Sequence, residues 1–328
     1  MKDKGKLKFN ENGTFQIMQL SDLHITKKNK NNKETLEFVV NAAQNLNPDL
    51  IVLSGDIING NRLFGAPASD KSKVKKAIRN LMKVLDKLDI PVAICFGEKD
   101  DDNRIYKHTQ AKFYHKYDCV CVGESYADCG TYYLPVYSSD ESEIKYCLWI
   151  FDSQYEDDTQ KINAVTDNRL EWFRKMSDEL KEKNGGSTVY SLLFQHTFVP
   201  EIYLNLTKVP SNTVGCIQKN DQFFIMNKDN TEGFLGEAPT TCVQTGQLAE
   251  IKKMQNVVAM VFGNNHTNCF VSEYEDIDLI ATPTASAFAY GDELRGLRML
   301  TIYENDTEAY ETSIYSYLDI LGKNPRKK

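Results

Sequence analysis

Gln19-Leu20-Ser21-Asp22-Leu23-His24 closes an apolar run, residues 15–20, with an acid and an imidazole two positions apart. The run reads as a β-strand. An Asp-x-His pair at its C-terminal end puts two metal-capable side chains on one loop. The same arrangement recurs along the chain. Residues 50–53 form a continuous apolar run, as expected of a strand buried on both faces, and end at Ser54-Gly55-Asp56. Residues 91–96 end at Gly97-Glu98-Lys99-Asp100, residues 189–194 at Gln195-His196, and residues 257–262 at Gly263-Asn264-Asn265-His266.

Between the first three strands lie two helical stripes. Residues 34–45 carry Leu36, Val39, Val40 and Ala43, and Pro48 stops that helix because the residue before a proline avoids α geometry. Residues 73–88 carry Val74, Ala77, Ile78, Leu81, Met82, Leu85 and Leu88. Strand and helix alternation argues for α/β layering with right-handed crossovers. Further along, 104–116 reads as helical, 132–136 and 146–151 as neighbouring strands of a second sheet, 167–180 as a helix capped by Asp167 and closed by Asn184-Gly185-Gly186, and 245–254 as a helix. The stretch 209–241 reads as one long loop lining a cleft, and the remainder to about residue 320 as β-rich. The expected organisation is an extension over 1–14, one layered domain over 15–320 and a basic tail over 321–328.

In open α/β sheets ligands gather beyond the carboxyl ends of the strands. The chain has five histidines, and His24, His196 and His266 all fall at strand ends. Any one could be a satisfied core histidine, and Asp22 or Asp56 alone could be a helix cap. Their joint occurrence after five strands points to a metal centre.

Composition narrows the rest. The 328 residues, 41% hydrophobic and 26% charged, suit a globular protein with a sizeable core. A net charge of −7 and a pI near 5.4 argue against nucleic acid and anionic lipid as partners. No apolar leader or membrane-length run is seen, and the eight cysteines show no CxxC pairing, so a cytoplasmic protein with reduced core thiols is expected. Asn205-Leu206-Thr207 is read as a chance glycosylation sequon, and Trp149 and Trp172 as core residues.

The series Asp22-x-His24, Gly55-Asp56, Gly97-x-x-Asp100, Gln195-His196 and Gly263-x-x-His266 resembles the calcineurin-like metallophosphoesterases, over roughly residues 15–304. Gly55-Asp56-Ile57-Ile58-Asn59-Gly60, the run from Leu193 to Glu201, Gly236-Glu237-Ala238-Pro239 and Tyr290-Gly291-Asp292 look closest to the purple-acid-phosphatase-like branch. The resemblance implies a four-layer α/β/β/α sandwich holding one or two divalent ions bridged by one Asp. It implies hydrolysis of a phosphate mono- or diester, on a phosphorylated small molecule or phosphoprotein, by a metal-bound hydroxide. One ion would take Asp22, His24, Asp56 and His266; the other would share Asp56 and take His196. Two ligand positions depart from the family pattern: Glu98 stands where the family has Asn, and Asn264 where it has His. Both offer oxygen, which leans the second site toward Mn or Mg. Lys99 replaces the family histidine that serves the leaving group, and with Asp100 and His196 completes the catalytic candidates. Lys99 could stabilise phosphoryl charge, neutralise Glu98, Asp56 or Asp100 and so displace an ion, or face water. Asn59 stands where a purple enzyme has its Tyr, so no purple colour is expected. The alternative is a catalytically impaired binding module of the same fold.

Overall fold

The computed structural model describes residues 6–60, 62–63, 66–67, 70–156 and 161–325; residues 1–5 and the last three of the basic tail lie outside these. A five-stranded sheet runs in the order Tyr310–Ser316, Gly296–Tyr303, Thr14–Leu20, Leu50–Ser54, Val92–Cys95. Its last three strands are mutually parallel, as required by crossovers through helices α1 (Asn29–Leu46) and α2 (Lys71–Leu85). An eight-stranded sheet runs Thr231–Phe234, Cys269–Tyr274, Ile277–Ala281, Val257–Phe262, Tyr190–Gln195, Ile144–Phe151, Thr131–Tyr137, Ser125–Asp128. The short helices α3 (Glu98–Asp101) and α4 (Lys107–Tyr114) follow the first sheet's edge strand; α5 (Asp167–Lys183) and α6 (Gln247–Met254) cover the second sheet.

Side-chain alternation builds the layers. In Thr14–Leu20, Phe15 and Ile17 enter the core between the sheets while Met18 and Leu20 join the core under α1 and α2. Leu50 and Val52 face inward, Ile51 and Leu53 outward to Phe38 and Leu81. In the second sheet Leu148, Leu192 and Phe194 meet the first sheet, whereas Trp149, Leu193 and Met260 pack with Phe173 and Leu248. Burying each such side chain contributes about 1.5–3 kcal/mol. The result is the α/β/β/α arrangement expected. Trp149 is fully buried and stands edge-on to half-buried Trp172.

Several boundaries differ from expectation. Helix α1 starts a turn earlier, at Asn29, where the Asn32 side chain both accepts from the Thr26 amide and donates to its carbonyl. In α2 the Asp70 carboxylate accepts from the Ser72 amide, so capping fixes a start before the apolar stripe begins. Thr166, not Asp167, is the N-cap of α5; Asp167 sits in the first turn, where the helix dipole favours an acid. The stretch 209–241 is not one loop. Strands Ile217–Lys219 and Gln222–Met226 form a hairpin around Asn220-Asp221, joined by Leu206–Val209 in a small sheet, and Thr231–Phe234 edges the eight-stranded sheet. Asn220 adopts the positive φ that such a tight turn needs, a signal present in the sequence. Near the C-terminus a Ser316/Asp319 capping box starts α7 (Tyr317–Leu321), which stacks Tyr317 on Phe38 at 4.0 Å. Phe9, in the expected extension, is buried between the sheets. Asn205 is buried and its amide donates to Ser272 and Glu273, so the sequon asparagine is occupied. Among the described residues no helix is long and apolar enough to cross a membrane, and the eight cysteines are free.

Candidate metal centre

All five expected loops meet at one end of the sandwich. The first two lie side by side: the Asp22 amide donates to Gly55 O, His24 to Asp56 O and Ile25 to Ile57 O. Asp22, His24, Asp56 and Asn264 all hold positive φ, between 45° and 68°. Such backbone is costly for residues other than glycine and persists where surrounding contacts over-determine it.

The ligand-capable atoms of Asp22, His24 and His266 lie within 4.8 Å of one another, as do those of Asp22, Asp56 and His196. Asp22 is the carboxylate common to both groups. Its Oδ2 accepts from Ser21 Oγ and from the Asn264 amide, while its buried Oδ1 has no hydrogen-bond partner. Oδ1 stands 3.3 Å from His266 Nε2 and 3.9 Å from both His24 and His196 Nε2. His24 and His266 bring their Nε2 atoms to 3.1 Å. The Nδ1 of His196 lies 2.8 Å from Ser54 O and that of His266 2.8 Å from Tyr290 O. Each Nδ1 therefore donates to a carbonyl, which leaves each Nε2 facing the cavity, able to bind a cation once it gives up its own proton. The His196 Nε2 is fully buried and unpartnered. Converging orphaned acceptors of this kind fit divalent cations.

Crowding of these groups sets the electrostatics of the metal-free site. Burial opposes ionisation of Asp22, but attraction to His196, His266 and His24 outweighs it and lowers the pKa. Burial raises the Asp56 pKa, opposed by His196 and reinforced by Glu98, Asp22 and Asp100. Burial also pulls His24 down to about 4. It opposes charge on His196 as well, yet Asp56, Asp22 and Glu98 lift that imidazole to about 9.

The departures sit together on the opposite wall. Glu98 Oε2 is 3.8 Å from His196 Nε2 and accepts from Asn264 Nδ2 at 2.6 Å. Lys99 gives its backbone N–H to Asp56 Oδ1 at 2.7 Å, while its ammonium lies 3.6 Å from Glu98 Oε1 and 3.9 Å from Asp102. Burial lowers the Lys99 pKa, yet Glu98, Asp56 and Asp102 raise it further, so the group is a cation at neutral pH. Asp100 is fully buried and accepts from the amides of Gly97, Ile57 and Ile58, tying two ligand loops together.

Close approach of backbone is part of the build. Gly55 has φ +94°, and a Cβ there would stand 2.2 Å from His196 Nδ1. Gly55→Ala is expected to cost about 1–3 kcal/mol from backbone strain alone and to turn His196 out of the centre. Thermal melting and a metal assay on the purified variant check both, and unchanged metal content would refute the positional claim.

Residues 15–210 match the calcineurin-like phosphoesterase family. This chain belongs to that family. Over 192 residues, 52% of its length, it is 23% identical to the uncharacterized protein C1020.05 of Schizosaccharomyces pombe, and the matched part is 35% of that relative's length. This chain thus spans about a third of the curated relative it matches. Its fold is similar to that of a dimetal phosphatase from Danio rerio, at 12% identity and a TM-score of 0.57, covering 92% of this chain and 99% of that one. It also matches TT1561 of Thermus thermophilus at 11% identity and a TM-score of 0.46, covering 92% and 99%. The family and fold are those of metal-dependent phosphoesterases.

Further residues stand around this family centre. Asp152, just beyond strand Ile144–Phe151, binds Lys107 and Arg169, and Lys107 also meets Asp101 at 3.0 Å. Lys161 donates to Asp102 at 2.8 Å and to Glu98 O at 3.2 Å, bracing the Glu98-Lys99 turn. Asp152 follows the same strand-end rule as the ligands and could have been found by it. Tyr290 stacks on His266 at 3.9 Å and 13°, and its hydroxyl donates to Glu237.

Proposed function

We propose that this chain hydrolyses a phosphate mono- or diester at a two-metal centre and stands in the purple-acid-phosphatase-like branch. The observation that carries this reading is the convergence of unpartnered Asp22 Oδ1 and His196 Nε2 with His24, His266 and Asp56. Divalent ions held there would acidify water and neutralise phosphoryl charge. Asp22, His24, Asp56 and His266 would hold the first ion. Asp56, His196 and the oxygens of Glu98 and Asn264 would hold the second, a donor set suited to Mn²⁺ or Mg²⁺.

The remaining work falls to the chain's own groups. Ser54 O and Tyr290 O fix the imidazole orientations. Asp100 holds the Gly97 and Ile57 turns in register and acts as a positioning residue. The Lys99 ammonium, 39% exposed at the rim, supplies fixed positive charge to the phosphoryl oxygens or the leaving oxygen. Lys99→Ala should lower kcat/KM on 4-nitrophenyl phosphate by about 10²-fold, with Lys99→His recovering most of it and melting temperatures unchanged. An alanine variant as active as the parent would discard this role. The substrate is a phosphorylated small molecule or phosphoprotein.

A second reading, a binding module holding one ion, draws on the Asn264–Glu98 hydrogen bond and the Glu98–Lys99 ion pair, which engage the second-site oxygens with each other. Metal analysis of protein reconstituted in Mn²⁺ separates the two. Two ions per chain with Asp56-dependent turnover support the hydrolase; one ion and no turnover support the module.

A further inference from the structure

Beside the centre lies a cleft of about 260 Å³ with an apolar floor that includes Ile58, Val74 and Phe288, and a rim carrying Lys27, Lys28 and Lys73. The three lysines are exposed, and among the described residues none forms an ion pair. They come from the loop entering α1 and the first turn of α2, and neither helix has an acid in its first turn. Asp70 accepts from the Ser72 amide to cap α2 and attracts Lys73 without forming an ion pair with it. The three cations are gathered on one rim although the chain as a whole carries a net charge of −7.

The cleft adjoins the centre through direct contacts. Lys27 follows His24 by three residues, so their Cα atoms are at most about 11 Å apart. Asn59 and Asn103 also line the cleft. Asn103 donates to Lys99 O, and Gly60, next to Asn59, packs on that same carbonyl. Lys99 in turn donates its amide to Asp56.

We propose that this cleft is a second anion site, which takes a further phosphate of a small substrate whose scissile phosphate lies at the metals. The inference rests on the phosphoesterase reading for the chemistry of its ligand and names the substrate class: bisphosphorylated small molecules. Lysine ammoniums over an apolar floor hold such a group more strongly than in open water, because the local dielectric is lower.

The test uses non-hydrolysable probes and the whole Mn²⁺-loaded chain. Calorimetric titration with butane-1,4-bisphosphonate and with butylphosphonate should give a bisphosphonate Kd at least about tenfold lower, a difference of ~1.4 kcal/mol. The advantage should shrink with added salt. It should vanish in Lys27→Ala/Lys28→Ala/Lys73→Ala, whose butylphosphonate Kd moves less than about twofold. Lys71→Ala/Lys75→Ala/Lys76→Ala, altered on exposed positions of α2 outside the cleft, should keep it. Equal affinities for the two probes, persistence in the first triple variant, or equal loss in the second would overturn the site. Because binding is read without turnover, these outcomes are independent of whether Asp56-dependent hydrolysis is found.

Discussion

Asp56→Asn should lower kcat/KM on 4-nitrophenyl phosphate by at least about 10³-fold, equivalent to ~4 kcal/mol of transition-state stabilisation. Asp56 is buried, stands 3.4 Å from His196 Nε2 and 3.9 Å from His24 Nε2, and belongs to the loop that runs beside Asp22 and His24. Its carboxylate joins Asp22 and His196 in one of the two candidate groups and would supply negative charge to an ion held there. The amide keeps the size and one oxygen but removes the charge. The same substitution should raise the thermal midpoint of the metal-stripped protein. Without ions, burial disfavours the Asp56 charge and Glu98, Asp22 and Asp100 repel it, which together outweigh the attraction of His196, so removing that charge relieves a net cost. Activity falling while apo-stability rises is the signature of a group kept for ion binding. Turnover that survives the substitution would place the chemistry elsewhere and remove the basis of the proposed function.

Stripping the metal should be the largest perturbation of stability. If each ion binds the folded chain at about 1,000 times below the working concentration, its loss removes ~4.1 kcal/mol per site. For a chain of this size that lowers the melting midpoint by on the order of 5–10 °C. The effect should concentrate where the strain is. The positive-φ residues Asp22, His24, Asp56 and Asn264 are held by cross-loop hydrogen bonds, and ions would add bonds between the same loops. Hydrogen exchange before and after chelation should therefore show faster exchange at the Asp22–Ile25 and Asp56–Ile58 amides, with the strand cores unchanged. A midpoint indifferent to chelator would show that the loops stand without ions.

Much of this was legible in the chain. Apolar runs such as Leu50–Ser54 and Val257–Phe262 announce buried strands because both of their faces meet hydrophobic layers. An acid or imidazole that ends such a run stands out against it. The hairpin at Asn220-Asp221 was missed because only Ile217 and Phe224 of its short strands are deeply buried, too few to print a period. Asp152 bears the same strand-end signal as the ligands, but its partners Lys107 and Arg169 lie in separate helices and share no motif with it.

Local patterning was enough for α/β layering and for the candidate ligands Asp22, His24, Asp56, His196 and His266, since strand ends can be read from the chain alone; the four-layer sandwich and the family followed from the motifs' resemblance to known phosphoesterases. Three-dimensional packing was needed to learn that Asp22 Oδ1 is the free oxygen common to both groups, that Asn264 turns its amide onto Glu98, and that Lys27 and Lys73 share a cleft beside His24. Those facts depend on rotamers and on distances of a few ångströms between loops. Sheet register and helix crossovers fix such distances, and no stretch of local sequence records them.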